Sequence, residues 1–162
     1  MKKEFTKLLQ QNQGIIHKVC NIYFYNKREK EDYIQELIIE VWKAFPNFKK
    51  QSKFSTWMYK VVLNSAIDIL RKEKNQPQYI KLSNSEYEIT DYQPNKESDK
   101  KEKLYWAINQ LSEVEKAIII LYLEDYSYKE ISEIIGISET YTGVKINRIK
   151  TELQKKLDYG NK

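Results

Sequence analysis

From Phe5 the apolar positions Phe5, Leu8, Leu9, Ile16, Val19, Cys20 and Tyr23 recur at steps of three and four. That is the period of one helix face, and it predicts a first amphipathic helix, weakened at Gly14. A second helix follows, with Ile34, Leu37, Ile38, Val41, Trp42 and Phe45 on one stripe, Asp32 placed to cap its start and Pro46 to stop it. A third runs from near Ser55 to about Lys74. Its buried stripe is Met58, Val61, Val62, Ala66, Ile69 and Leu70, and Lys60, Asn64, Asp68 and Arg71 form an outward polar row.

The period then lapses. Residues 76–103 hold two of the three prolines and many polar residues, which reads as a flexible linker. Beyond it, Leu104, Trp106, Ala107, Ile108 and Leu111 make a short helix. Two Ser-x-x-Glu signatures, Ser112 with Glu115 and Ser127 with Glu130, then open two further helices by capping boxes. Gly136 can end the second of these in the left-handed conformation and Ser138 can cap a last helix from Glu139 to about Leu157, apolar at Val144, Ile146, Ile149, Leu153 and Leu157. A capped helix, a glycine turn and a second capped helix form a helix-turn-helix, or an ordinary αα-hairpin. The expected fold is all-α: two small helical domains, 1–75 and 104–162, joined by the linker, the C-terminal one a helix-turn-helix.

Composition narrows the function. The chain has 162 residues with one Cys and one His. That excludes a disulfide framework and a multi-thiolate zinc site, and it points to a reducing, cytoplasmic setting. No stretch reaches the roughly 18 apolar residues of a membrane span, and the polar start predicts no cleaved leader. The net charge of +5 is uneven. Residues 1–75 carry 15 Lys and Arg against 8 Asp and Glu, an excess of seven that points to a polyanionic partner.

Several constellations could carry chemistry. In the helix-turn-helix, Ser138, Glu139, Thr140, Thr142, Lys145 and Arg148 lie where a recognition helix meets the major groove. Gly143 there serves close approach to DNA or to the neighbouring helix, or is simply tolerated. In the N-terminal half, Phe54, Trp57 and Tyr59 are interleaved with Lys49, Lys50, Lys53, Lys60 and Arg71, a pattern suited to unpaired bases and their phosphates; the aromatics equally suit a core. Asp32, Glu36 and Glu40 align on one helix face, as a partner-facing acidic surface or, less simply, as part of a metal site that lacks convergent ligands from other helices. His17 and Cys20 read as packing and surface. With no nucleophile, zinc or phosphate-loop motif, no enzyme and no cofactor are expected.

The two halves together resemble the bacterial extracytoplasmic-function (ECF) sigma factors, promoter-recognition subunits of RNA polymerase. The segment KEDYIQELIIEVWKAFPNFKKQSKFSTWMYKVVLNSAIDILRKEK is similar to the family's region 2, and LSEVEKAIIILYLEDYSYKEISEIIGISETYTGVKINRIKTELQKKL to its region 4. The resemblance implies that Asp32, Gln35, Glu36 and Glu40 dock on the clamp of the polymerase largest subunit. It further implies that Lys49, Lys50, Ser52 and Lys53 lie in the loop that captures a flipped minus 10 base, with Trp57, Lys60, Asn64 and Arg71 facing the melting strand. Region 4 would read the minus 35 duplex through Ser138, Glu139, Thr140, Thr142, Lys145 and Arg148, while its outer surface holds the polymerase flap. One departure stands out. The family commonly opens this helix with Gly-Thr-Val-Lys, where this chain has Glu139-Thr-Tyr-Thr-Gly-Val-Lys145.

By the same resemblance the linker can occupy the RNA exit path, and an anti-sigma protein or another recruiter controls the factor. Two other functions fit parts of the chain: a stand-alone helix-turn-helix regulator on duplex DNA, and a metal enzyme built on the carboxylates.

Overall fold

In the computed structural model the residues described are 1–75 and 99–160, and the chain divides into two compact units, Met1–Thr90 and Asp91–Lys162. Every described element is helical. No described helix is long and apolar enough to cross a membrane. The expected linker, 76–103, lies largely outside the described residues.

The first unit packs three helices on one another: α1 (Lys2–Tyr23), α2 (Lys30–Ala44) and α3 (Phe54–Lys74). α1 runs unbroken through Gly14, whose Cα faces open space. Its buried side includes Phe5, Ile16, Val19, Cys20 and Tyr23; α2 and α3, which pack on it, bury Leu37 and Val41, and Met58, Val62, Leu63, Ala66 and Ile69. After α1 the fully buried Phe24 stacks on Tyr33, with ring centroids 4.0 Å apart.

α2 starts two residues before the expected cap. Glu29 occupies the cap position without a side-chain bond, and Asp32 sits in the first turn, where its charge favours the positive helix end. Pro46 stops the helix as expected, through a short 3₁₀ turn at Phe45–Asn47. The outward row of α3 is found: Lys60, Asn64, Asp68 and Arg71 are all exposed.

The second unit contains α4 (Lys100–Asn109), α5 (Glu113–Leu123), α6 (Tyr128–Ile135) and α7 (Glu139–Gly160), with α4, α5 and α6 each packed on α7. α4 reaches into the segment expected as linker. Asp99 caps it, its carboxylate accepting from the Glu102 N–H at 2.7 Å. Both capping boxes form: Ser112 with Glu115 opens α5, and Ser127 with Glu130 opens α6. The core collects Ile108, Ile118, Ile119, Leu121, Ile131, Ile146 and Ile149, each no more than 2 % exposed. Val144, expected in the apolar stripe of α7, is instead 42 % exposed.

Candidate polymerase and nucleic-acid interfaces

Successive residues of a helix are separated by about 100°, so burying Leu37 and Val41 fixes what α2 presents outward. Asp32, Gln35 and Glu36 are exposed, and Glu40 is half-buried and bonded to Lys43 at 2.9 Å. The same face holds Ile39, 51 % exposed, and Trp42, 38 % exposed, which packs edge-on with Phe5 at a ring-centroid distance of 4.8 Å. The apolar stripe read from sequence includes Trp42 and leaves Ile39 out, although an apolar residue off the stripe is the signal of an outward apolar spot. The result is an acidic patch with an apolar centre, a composition typical of protein contact surfaces. Among the described residues no three His, Cys, Asp or Glu side chains converge as metal ligands. His17 is exposed and Cys20 fully buried, so the pair faces different surroundings.

A second surface lies at the loop entering α3. Rings from Phe45, Phe48, Phe54 and Trp57 pack mutually, with Phe48 to Phe54 at 5.4 Å and Phe48 to Trp57 at 5.1 Å. Between these anchors Lys49, Lys50, Ser52 and Lys53 are exposed. Lys50 holds a left-handed backbone, φ +58°, and its ammonium lies 2.8 Å from Glu4 of α1. The hydrogen bond and charge of Lys50 keep the Glu4 carboxyl below its usual range. Lys60, Asn64 and Arg71 continue the exposed surface along α3. Two of the three expected stacking aromatics are removed from it. Phe54 is 7 % and Tyr59 3 % exposed, because both point into the helical packing, and only the half-buried Trp57 keeps an edge outward.

The third surface is the helix-turn-helix. Gly136 has φ +85°, a conformation that L side chains rarely adopt, and its N–H donates to the Ser132 carbonyl at 2.8 Å. Ser138 then caps α7, its hydroxyl accepting from the Tyr141 N–H at 3.1 Å. Glu139, Thr140 and Arg148 are exposed, as expected of groove-facing residues.

Two expected contacts are corrected. Thr142 is 0 % exposed, and its hydroxyl donates to the Ser138 carbonyl at 2.9 Å, so it is a core position of α7 and does not reach a base. Lys145 is turned inward, with its ammonium 3.5 Å from Glu115, both side chains only about a quarter exposed or less. The exposed residues that sequence reading passed over are Tyr141, Val144, Asn147 and Thr151. A signal was present: stepping back by four from Ile146 lands on Thr142, which fixes the helix phase and with it the outward side. A Cβ at Gly143 would meet the Tyr128 ring at 3.4 Å, an ordinary contact distance, so the neighbouring helix tolerates glycine there without requiring it.

Comparison with known proteins accounts for both units. Residues 8–76 match the family described as Sigma-70 region 2, and residues 101–153 match Sigma-70, region 4. Among curated proteins, the RNA polymerase sigma factor SigV of Bacillus subtilis is 29 % identical over 163 residues, covering 96 % of this chain and 91 % of that protein. The ECF RNA polymerase sigma factor SigW of Bacillus subtilis is 28 % identical over 88 % of this chain and 82 % of its own length. Among solved structures, the sigma factor RpoE in complex with the anti-sigma factor NepR from Bartonella quintana shares the fold. Its TM-score is 0.69 at 18 % identity, over 96 % of this chain and 98 % of that one. A stand-alone helix-turn-helix regulator would account for region 4 and leave region 2 unexplained. With both regions present in order, in one short chain and alongside ECF relatives of matching length, the chain belongs to the extracytoplasmic-function RNA polymerase sigma factors.

Proposed function

We propose that the protein, as a sigma factor, divides its work between its two units. The region 2 unit docks core RNA polymerase and captures the minus 10 element; the region 4 unit reads the minus 35 element. The observation that carries this division is the pairing of an acidic, apolar-centred face on α2 with a lysine-bearing loop on the same small unit. An acidic face suits a protein partner and repels DNA, whereas Lys49, Lys50 and Lys53 suit phosphates.

Asp32, Gln35, Glu36 and Glu40 would rest on the clamp of the largest polymerase subunit. Lys49, Lys50, Ser52 and Lys53 would hold an extruded base, while Trp57, Lys60, Asn64 and Arg71 follow the opened strand. Ser138, Glu139, Thr140 and Arg148 would meet the upstream duplex. Such a factor is non-enzymatic, needs no cofactor and works in the cytoplasm. An anti-sigma factor or another recruiting protein would control it, as the structural relative bound to an anti-sigma factor illustrates for its own family member.

The test is co-purification with core polymerase followed by run-off transcription from a genomic fragment library. Promoter-selective transcripts that need the protein are the expected result; no polymerase binding would refute it. Glu36→Lys reverses a charge on an exposed position, so it should leave the fold intact and weaken polymerase binding at least several-fold. Unchanged affinity for core enzyme would remove α2 from the interface.

A further inference from the structure

α7 carries an apolar residue where its own period has no use for one. Ile146, Ile149 and Leu153, together with Thr142, define the inward side and are at most 7 % exposed. Val144 stands two residues from both Thr142 and Ile146, about 200° around the helix from each, and is 42 % exposed. Its neighbours at helical steps are Thr140, Tyr141, Asn147, Arg148 and Thr151, all exposed.

A β-branched residue is also a mediocre helix former. Neither core packing nor local propensity therefore accounts for valine at this place. What remains is an outward ridge one turn into the helix, with two methyl groups at its centre, the Tyr141 ring on its N-terminal side, and hydroxyl, amide and guanidinium groups around them.

That ridge is the part of a helix-turn-helix that faces base edges. Amide and guanidinium groups read adenine and guanine by hydrogen bonds, and a branched aliphatic group has one partner on the major-groove edge, the C5-methyl of thymine. A phosphate offers it nothing. Lys145, the adjacent basic residue, is held inward by Glu115, which leaves the ridge without a competing lysine beside Val144.

We propose that Val144 is a specificity-determining residue that packs on the C5-methyl of one thymine in the upstream duplex element. The inference rests on the reading of the region 4 unit as the minus 35 reader.

The experiment uses holoenzyme assembled from core polymerase and the full chain. Upstream sequences are first selected from a randomised duplex library, and each thymine of the selected element is then replaced singly by deoxyuridine, which deletes only the methyl. One position should lose about fourfold in binding, the value of one buried methyl-sized group. Val144→Ala, conservative at an exposed helical site, should weaken binding to the thymine duplex by a similar factor and be insensitive to uracil at that position.

Uracil sensitivity that persists unchanged in Val144→Ala, or no sensitive thymine with the wild-type chain, overturns the assignment while leaving upstream selection by the region 4 unit intact. Failure of the holoenzyme to select any upstream sequence overturns both.

Discussion

Glu115 has two tasks in the region 4 unit, and removing it separates them by magnitude. One carboxylate oxygen accepts the Ser112 N–H at 3.1 Å and closes the capping box of α5, while the other faces Lys145 of α7 at 3.5 Å. Losing the cap contact costs about 1 kcal/mol. The partly exposed ion pair adds at most about 1 kcal/mol. Glu115→Ala should therefore destabilise the unit by about 1–2 kcal/mol. Glu115→Gln keeps an acceptor suited to the cap but loses the charge, so its cost should be about half that.

Amide hydrogen exchange on the full chain reads this locally. Exchange of the α5 first turn and of α7 near Lys145 should accelerate roughly 5–30-fold in Glu115→Ala, and less in Glu115→Gln, with the region 2 unit unaffected. Burial tends to raise the Glu115 carboxyl, but hydrogen bonds from Ser112 and the Lys145 charge prevail and leave it below its ordinary value of 4.5. A lowered folded value means the charge-dependent stability is complete above about pH 4.5 and disappears as the pH falls through that lower value. The gap between wild type and Glu115→Gln must therefore close on acidification. If Glu115→Gln matches Glu115→Ala, or if the gap widens in acid, the carboxylate does not act as described.

Other substitutions and reagents test the same geometry elsewhere. Gly136→Ala places a side chain at φ +85° and should cost about 1–2 kcal/mol, seen as a lower melting temperature, with Gly136→Asn milder. Gly143→Ala should instead stabilise by up to about 1 kcal/mol, because its Cβ meets Tyr128 at an ordinary contact distance of 3.4 Å; a fall in melting temperature would show that the ring cannot accommodate it. Cys20 is fully buried, which raises its thiol above the usual 9.0. Maleimide labelling of the native chain should be far slower than of the denatured chain, and comparable rates would mean that the region 2 core opens readily.

The parts that could be read from sequence are those set by local chemistry. Ser112 with Glu115 and Ser127 with Glu130 specify α5 and α6 by bonds within four residues, and Pro46 ends α2 because it cannot donate a backbone hydrogen bond. The start of α4 was missed although Asp99 and Glu102 carry the same three-residue spacing, masked by polar surroundings. What depended on tertiary contact was harder. Phe54 and Tyr59 alternate with lysines as a base-stacking surface would, yet the meeting of three helices draws both inward. Lys145 has the charge and position of a groove contact, and only the approach of α5 to α7 gives it Glu115 instead.

The aromatic anchors beside the lysine loop bear on the thermodynamics of promoter capture. Fixing one residue's backbone costs roughly 1–2 kcal/mol of entropy, and a five-residue loop that ordered only on DNA would subtract several such increments from its affinity. Here the rings of Phe48 and Phe54, 5.4 Å apart, hold both ends of Lys49–Lys53 together, and Glu4 restrains Lys50 near the middle. Much of that ordering is complete when the unit folds. An incoming strand then exchanges one anion for another at an exposed ion pair worth at most about 1 kcal/mol, with little of the chain left to freeze.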